Sequence, residues 1–285
     1  MTSVRVETEP AALALRDYRS DEKPMWCPGC GDFGVLSATY KAMQALQLKP
    51  WEIVVVSGIG CSSRIPFFIS SYGFHVVHGR SLPVAQGVKL ANPALTVFAM
   101  GGDGDFFSIG PGHIPHAANR NMNITAVVMD NSTYGLTKGQ TSPTSPLGHK
   151  TKSTPYGSIV QPLNPILMAI AQGATFVARG YSAKPAQLTD LMVRAINHKG
   201  FAFIQVESPC TEFNNTFNHY DSVVEDLPAG WDPTNAQAAM EMAMTEERVH
   251  LGLFYQGERP VYEDQFDRLA EHRPFDTEAY LRQYQ

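Results

Sequence analysis

The chain has 285 residues, 44% of them hydrophobic, enough to bury a sizeable core as one large or two modest domains. A formal charge of -5 without a basic run removes the electrostatic footprint of a nucleic-acid binder. No apolar run approaches the roughly 20 residues that span a bilayer, so no membrane association is expected.

Met1 to Asp21 is charged rather than built like a signal peptide, which makes the cytoplasm the expected compartment. After this polar arm come short apolar runs: Glu52 to Ser57, Leu95 to Met100, Ile124 to Met129, Thr175 to Ala178 and Ala202 to Glu207. Runs without polar alternation suit strands buried on both faces, and helix-length segments between them supply the crossovers of a mostly parallel sheet. The fold class is therefore α/β, doubly wound. Leu136 to Leu163 is rich in Thr, Ser, Pro and Gly and reads as a loop that covers a site or faces a partner. From Asp221 the composition shifts to charged residues with scattered Tyr, Phe and Met, expected to form a peripheral extension of helices and loops. This divides the chain into an arm (1-25), a central domain (26-220) and an extension (221-285) expected to contact a partner.

Leu95 to Asp105 reads LTVFAMGGDGD, a buried strand running into glycines and carboxylates. In open α/β sheets ligands bind at the carboxyl ends of strands, where glycines let backbone N–H groups approach phosphate. Asp103 is then placed to hold a divalent cation bridging two phosphates. The next strand ends at Asp130 and Asn131. The Asp103 carboxylate, the Asn131 amide oxygen, a backbone carbonyl near Thr133, two phosphate oxygens and a water would complete the octahedron Mg2+ prefers. A simple tight loop would account equally well for GGDGD alone.

The four cysteines supply a second constellation. Cys27 and Cys30 form Cys-Pro-Gly-Cys, Cys61 lies in Gly-Ile-Gly-Cys after one strand, and Cys210 lies in Ser-Pro-Cys after another. Four thiolates satisfy either a 4Fe-4S cluster or a structural zinc, and spacing alone does not separate the two. Cys61 and Cys210 taken singly would also pass as buried core cysteines. Both, however, follow strands at the sheet end that carries Asp103 and Asn131, which favours one metal centre beside the phosphate site.

Gly102-Asp103-Gly104 followed by Asp130-Asn131 resembles the thiamine diphosphate motif, with Asp130 in place of the first Asn of its pair. The longer series WCPGCGD, GIGCSSRIP, HGR, GGDGD, DNSTYGLTKGQTSPTS and SPC, from Trp26 to Cys210, resembles the beta subunit of 2-oxoacid:ferredoxin oxidoreductases. The resemblance implies a 4Fe-4S cluster on Cys27, Cys30, Cys61 and Cys210, favouring iron over zinc. It implies that Gly60, Cys61, His78, Gly102, Asp103, Gly104, Asp105, Asn131, Thr133 and Gly135 line thiamine diphosphate, with Mg2+ on Asp103, Asn131 and Thr133. Arg64 and Leu136 match positions near the substrate's side chain, and His78 a hydrogen-bond partner of the cofactor. A surface salt bridge, core packing and a satisfied interior histidine are the plain structural roles for these three.

TYGLTKGQTSPTS resembles the 2-oxoglutarate type more than the pyruvate type, and an arginine would suit a second substrate carboxylate. Lys138 and Gln140 in that segment face either substrate, partner or solvent. The implied reaction converts a 2-oxoacid, coenzyme A and oxidised ferredoxin to an acyl-CoA, CO2 and reduced ferredoxin, in either direction. An alpha subunit is expected to supply the glutamate that activates the cofactor and the coenzyme A site, in an (alpha-beta)2 assembly. Three rival readings stand beside this: a pyruvate or broad-specificity enzyme, a non-redox thiamine enzyme with structural zinc, and a non-catalytic zinc-stabilised interaction subunit.

Overall fold

A computed structural model describes residues 12–245, 247–272 and 276–284; the first eleven residues of the arm lie outside the described set. In chain order the elements are α1 (Asp32–Ala45), β1 (Ile53–Ser57), β2 (Tyr72–His75), α2 (Ser81–Ala91), β3 (Thr96–Gly102), α3 (Ile114–Arg120), β4 (Thr125–Asp130), β5 (Thr133–Tyr134) and β6 (Gln140–Thr141). They continue with α4 (Pro165–Ala171), β7 (Phe176–Tyr181), α5 (Pro185–Asn197), β8 (Ala202–Glu207), α6 (Phe217–Val223), β9 (Val224–Asp226), α7 (Ala236–Ala243), β10 (Val249–Gln256), α8 (Tyr262–His272) and α9 (Thr277–Arg282).

Eight strands form one sheet in the order β2-β1-β3-β4-β8-β7-β10-β9. Every pairing is parallel except β10 with β7. All five apolar runs of the sequence became strands of this sheet. Alternation within a fully buried strand supplies two cores at once: Ile53 and Val55 pack with Val35, Met43 and Leu188 on one face, while Val54 and Val56 pack with Ile114, Ile166 and Ala239 on the other. Each such aliphatic side chain taken from water contributes about 1.5–3 kcal/mol, so helices on both faces are what makes a parallel sheet stable.

Because β1, β3, β4 and β8 are parallel neighbours, their carboxyl ends share one edge of the sheet. The register fixes who stands beside whom: Ser57 opposite Met100, Gly102 opposite Met129, Asp130 opposite Glu207. GGDGD, Asp130-Asn131 and the loops bearing Cys61 and Cys210 thus leave the sheet side by side.

The reading of residues after Asp221 as helices and loops at the periphery is corrected. β9 and β10 lie there, and β10 extends the main sheet antiparallel to β7, with a bulge between Leu253 and Tyr255. Leu251, Leu253 and Phe254 are buried. His250, Gly252 and the bulge interrupt the apolar run that marks the other strands. Edge strand β2 was also not anticipated, and all four of its residues are exposed.

Candidate functional site

β3 ends in glycines because the chain must turn there against other chain segments. A Cβ on Gly104 would stand 2.2 Å from the Tyr134 ring, and one on Gly58 would collide with the Asp105 carboxylate. A small cavity of about 70 Å3 opens at this edge. Gly60, Cys61, His78, Gly102, Asp103, Gly104, Asp105, Asn131, Thr133, Gly135 and Leu136 all line it, together with Ile59, Ser62, Tyr134 and Thr137. The structure therefore brings together every residue expected at the cofactor, plus Leu136. Leu136 is 40% exposed, which excludes a core-packing role.

Asp103 is buried, and its Oδ2 lies 2.8 Å from Thr144 Oγ1, which lies 2.7 Å from Asp130 Oδ1. A hydroxyl carries one proton and can donate to only one of two carboxylates. Burial and the Asp130 charge push the Asp103 carboxyl up to about 8. Two buried carboxylates short of a proton fit a divalent cation, whose charge would remove the conflict. Beside them, Asn131 Oδ1 accepts the Thr133 N–H at 3.0 Å in a tight turn, so the loop after β4 is shaped by its own side chain.

Asp105, besides lining the cavity, ties the loops around it together. Its Oδ1 accepts the backbone N–H groups of Ile59 (2.9 Å) and Gly79 (2.7 Å) and lies 2.7 Å from His78 Nδ1. It ties the loop after β1 and the loop bearing His78 to the loop after β3. The His78 side chain is 31% exposed and its Nδ1 is taken by Asp105, which leaves Nε2 as the nitrogen available to a ligand.

Cys61 and Cys210 converge on Gly135, which lines the cavity: a Cβ there would lie 3.7 Å from the Cys61 sulfur and 3.6 Å from the Cys210 sulfur. Cys30 interacts electrostatically with Cys61 and Cys210, and Cys61 with Cys27, so the four thiols form one neighbourhood. Burial pushes the Cys61 thiol up to about 11, and burial together with Asp32 raises Cys30 as well. Such thiols become thiolates only against a compensating positive centre. Among the described residues no group of three or more His, Cys, Asp and Glu is close enough to hold a single metal ion.

Sequence reasoning missed the group that organises these cysteines. Asp32, two residues after Cys30, is buried and accepts from Ser208 Oγ (2.8 Å) and Ser62 Oγ (3.2 Å), residues that flank Cys210 and Cys61. Burial pushes its carboxyl up to about 6. The signal in the sequence was a charged residue opening a helix, which a dipole argument explains as well. Arg64 sits on the Cys61 turn, its backbone N–H donating to the Cys61 carbonyl at 3.2 Å, and its charge pulls against the upward shift of the Cys61 thiol. Arg64 does not line the cavity.

Comparison with known proteins identifies first the class. Residues 58–206 match the family described as thiamine pyrophosphate enzyme, C-terminal TPP binding domain, and residues 210–271 match the family for the C terminal of the pyruvate ferredoxin oxidoreductase beta subunit. A 2-oxoacid:ferredoxin oxidoreductase subunit beta from Saccharolobus solfataricus is 46% identical over 265 residues, covering 87% of this chain and 86% of that protein. The 2-oxoglutarate synthase subunit KorB of Methanocaldococcus jannaschii is 37% identical, covering 90% and 97%. A solved 2-oxoglutarate:ferredoxin oxidoreductase from Magnetococcus marinus, with 2-oxoglutarate, coenzyme A and succinyl-CoA bound, superimposes with a TM-score of 0.92 at 39% identity, covering 99% of this chain and 100% of that one. This chain belongs to the family of 2-oxoacid:ferredoxin oxidoreductase beta subunits. Among its described residues no helix is long and apolar enough to cross a membrane.

Proposed function

We propose that this chain is the thiamine-diphosphate-binding beta subunit of a coenzyme A-dependent enzyme that oxidises 2-oxoglutarate to succinyl-CoA and CO2, passing two electrons singly to ferredoxin. The observation that carries the reading is Gly135, which lines the cavity with Asp103, Asn131 and His78 and lies against the sulfurs of Cys61 and Cys210. A carbon centre made electron-rich by decarboxylation and a one-electron acceptor need to be that close.

Asp103 and Asn131, with a carbonyl near Thr133, would hold Mg2+; Gly102 and Gly104 admit the diphosphate; Cys27, Cys30, Cys61 and Cys210 would hold a 4Fe-4S cluster. Thiamine diphosphate supplies the electron sink for loss of CO2. The chain's own residues bind and orient: Asp105 fixes His78, Leu136 offers an apolar wall, and Arg64 offers a cation for the distal carboxylate. A cavity of about 70 Å3 is far below the roughly 300–1,000 Å3 of complete ligand sites, which supports a partner closing the other side. Exposed Ile59, Phe67, Phe74, Val77 and Leu136 lie on the cavity's own loops or on the neighbouring β2 edge and suit an alpha subunit in an (alpha-beta)2 assembly. Residues 221–285 are proposed to contact that partner, in the cytoplasm.

Similarity to KorB subunits and to the 2-oxoglutarate-bound structure supports 2-oxoglutarate over pyruvate. The test is anaerobic ferredoxin reduction by the assembled complex with each 2-oxoacid, alongside metal and sulfide analysis. A higher kcat/KM for pyruvate would overturn the substrate; zinc in place of iron and sulfide would overturn the redox function.

A further inference from the structure

The TSPTS segment bears a resemblance to the family but has no role in the function proposed above. In the structure it folds under the metal-binding edge. Ser145 Oγ accepts the Ser142 N–H at 2.8 Å and donates to the Ser132 carbonyl at 2.6 Å, which pins the turn beneath the loop after β4. The turn carries two hydroxyls to Asp103, those of Thr144 and Ser142. Thr144 is 8% exposed and stands between Asp103 and Asp130. Asp130 is itself held from behind: its Oδ1 accepts the Ser132 N–H at 3.1 Å, and its Oδ2 accepts from Gln205 Nε2 at 2.9 Å. Gln205 in turn has its Oε1 occupied by Arg179 Nε at 3.0 Å, which fixes which end of the amide donates.

This explains Asp130 at a position where the motif has asparagine. Both of its side-chain oxygens receive donors without counting Thr144: the Ser132 N–H on Oδ1 and Gln205 Nε2 on Oδ2. An asparagine would present an NH2 to one of those donors. The resulting row runs from Arg179 through Gln205 and Asp130 to Thr144 and Asp103: Arg179 fixes Gln205 and Gln205 fixes Asp130, while Thr144, with one proton between two carboxylates, donates to one of them at a time.

We propose that Thr144 is a positioning residue for the metal-binding carboxylate, its hydroxyl holding Asp103 by reference to Asp130, which Gln205 and Arg179 anchor. The inference rests on the reading of Asp103 as the Mg2+ ligand. Groups that hydrogen-bond a ligating carboxylate are worth about 10- to 100-fold in metal affinity.

The assembled complex, stripped of metal with a chelator, is titrated with Mg2+ at saturating thiamine diphosphate and followed by calorimetry, with far-UV circular dichroism as a folding control. Thr144→Val is expected to weaken Mg2+ binding by about 10- to 100-fold, and Thr144→Ser to bind like wild type. Should valine perturb folding, Thr144→Ala removes the same hydroxyl without added bulk and must show the same loss. Wild-type affinity in the hydroxyl-free variants overturns the proposal, and so does an equal loss in Thr144→Ser, which would place the effect in packing. Retention of Mg2+ by Asp103→Ala would instead overturn the metal reading on which it rests.

Discussion

The two halves of the site use the same device over very different spans of sequence. On the phosphate side the Asp103 carboxylate is held by Ser142 and Thr144 and neighbours Asp130. On the cysteine side the Asp32 carboxylate is held by Ser62 and Ser208. The first arrangement is drawn from adjacent strands β3 and β4 and a turn just after them. The second joins segments from the start, the first quarter and the last third of the chain. Carboxylates that fix a site from nearby sequence leave a motif; those that fix it across the fold do not.

The largest effects should come from the cysteine side. Replacing any one of Cys27, Cys30, Cys61 or Cys210 by Ser is expected to abolish the visible absorbance of the cluster and ferredoxin reduction, while thiamine diphosphate still binds. Iron and sulfide analysis checks this, and an unchanged spectrum in one variant would remove that cysteine from the ligand set. Next, Asp103→Ala is expected to cost at least about 100-fold in Mg2+-dependent thiamine diphosphate affinity and leave cluster content intact. Loss of both centres together would show that the halves are not separable.

Arg64 lies between the halves, on the Cys61 turn. Arg64→Ala should lose a charge-assisted contact of about 1.5–3 kcal/mol, one to two decades in kcat/KM for 2-oxoglutarate, with a far smaller change for pyruvate. A parallel loss for both substrates, with a labile cluster, would assign Arg64 to supporting the cysteine loop.

The smallest effects concern pH and differ between the halves in their window. Asp103 sits at about 8 in the folded, metal-free chain against an ordinary 3.8, so its protonated form is the one the fold favours. Its contribution to metal-free stability is complete below about pH 4 and is lost as pH rises through about 8. Mg2+ must displace that proton, so its affinity should climb with pH up to about 8 and then level. Asp32 behaves likewise with a window from about 4 to about 6. Asp32→Asn should flatten the stability profile of the cluster-free protein over that lower window and leave the Mg2+ profile unchanged. Denaturation midpoints across pH, with and without Mg2+, separate the two; a flattened Mg2+ profile in Asp32→Asn would show the carboxylates to be coupled.

How much of this was legible follows from the same contrast. Five parallel strands were readable because a strand buried on both faces must be apolar at every position. β10 was not, because an antiparallel strand at the flank tolerates His250, Gly252 and a bulge. Glycine and carboxylate at the end of β3 marked the edge where the cavity opens, and the spacing of the cysteines brought Cys61 and Cys210 together beside it. Leu136 and His78 line the cavity, and the burial of Asp105 into a backbone-binding role could not be read from its spacing.

The amino-acid sequence by itself determined the α/β class, the family, and the sheet edge at which Asp103, Asn131, Cys61 and Cys210 leave the strands, because residue type and local order carry that information. Only the tertiary structure decided that Asp32 ties three cysteine segments, that Asp105 holds His78, and that Thr144 stands between Asp103 and Asp130. Those assignments depend on which of many serines, threonines and aspartates come within a hydrogen bond of one another. That distance is set by strand register and the packing of whole elements, and no neighbour in sequence reports it.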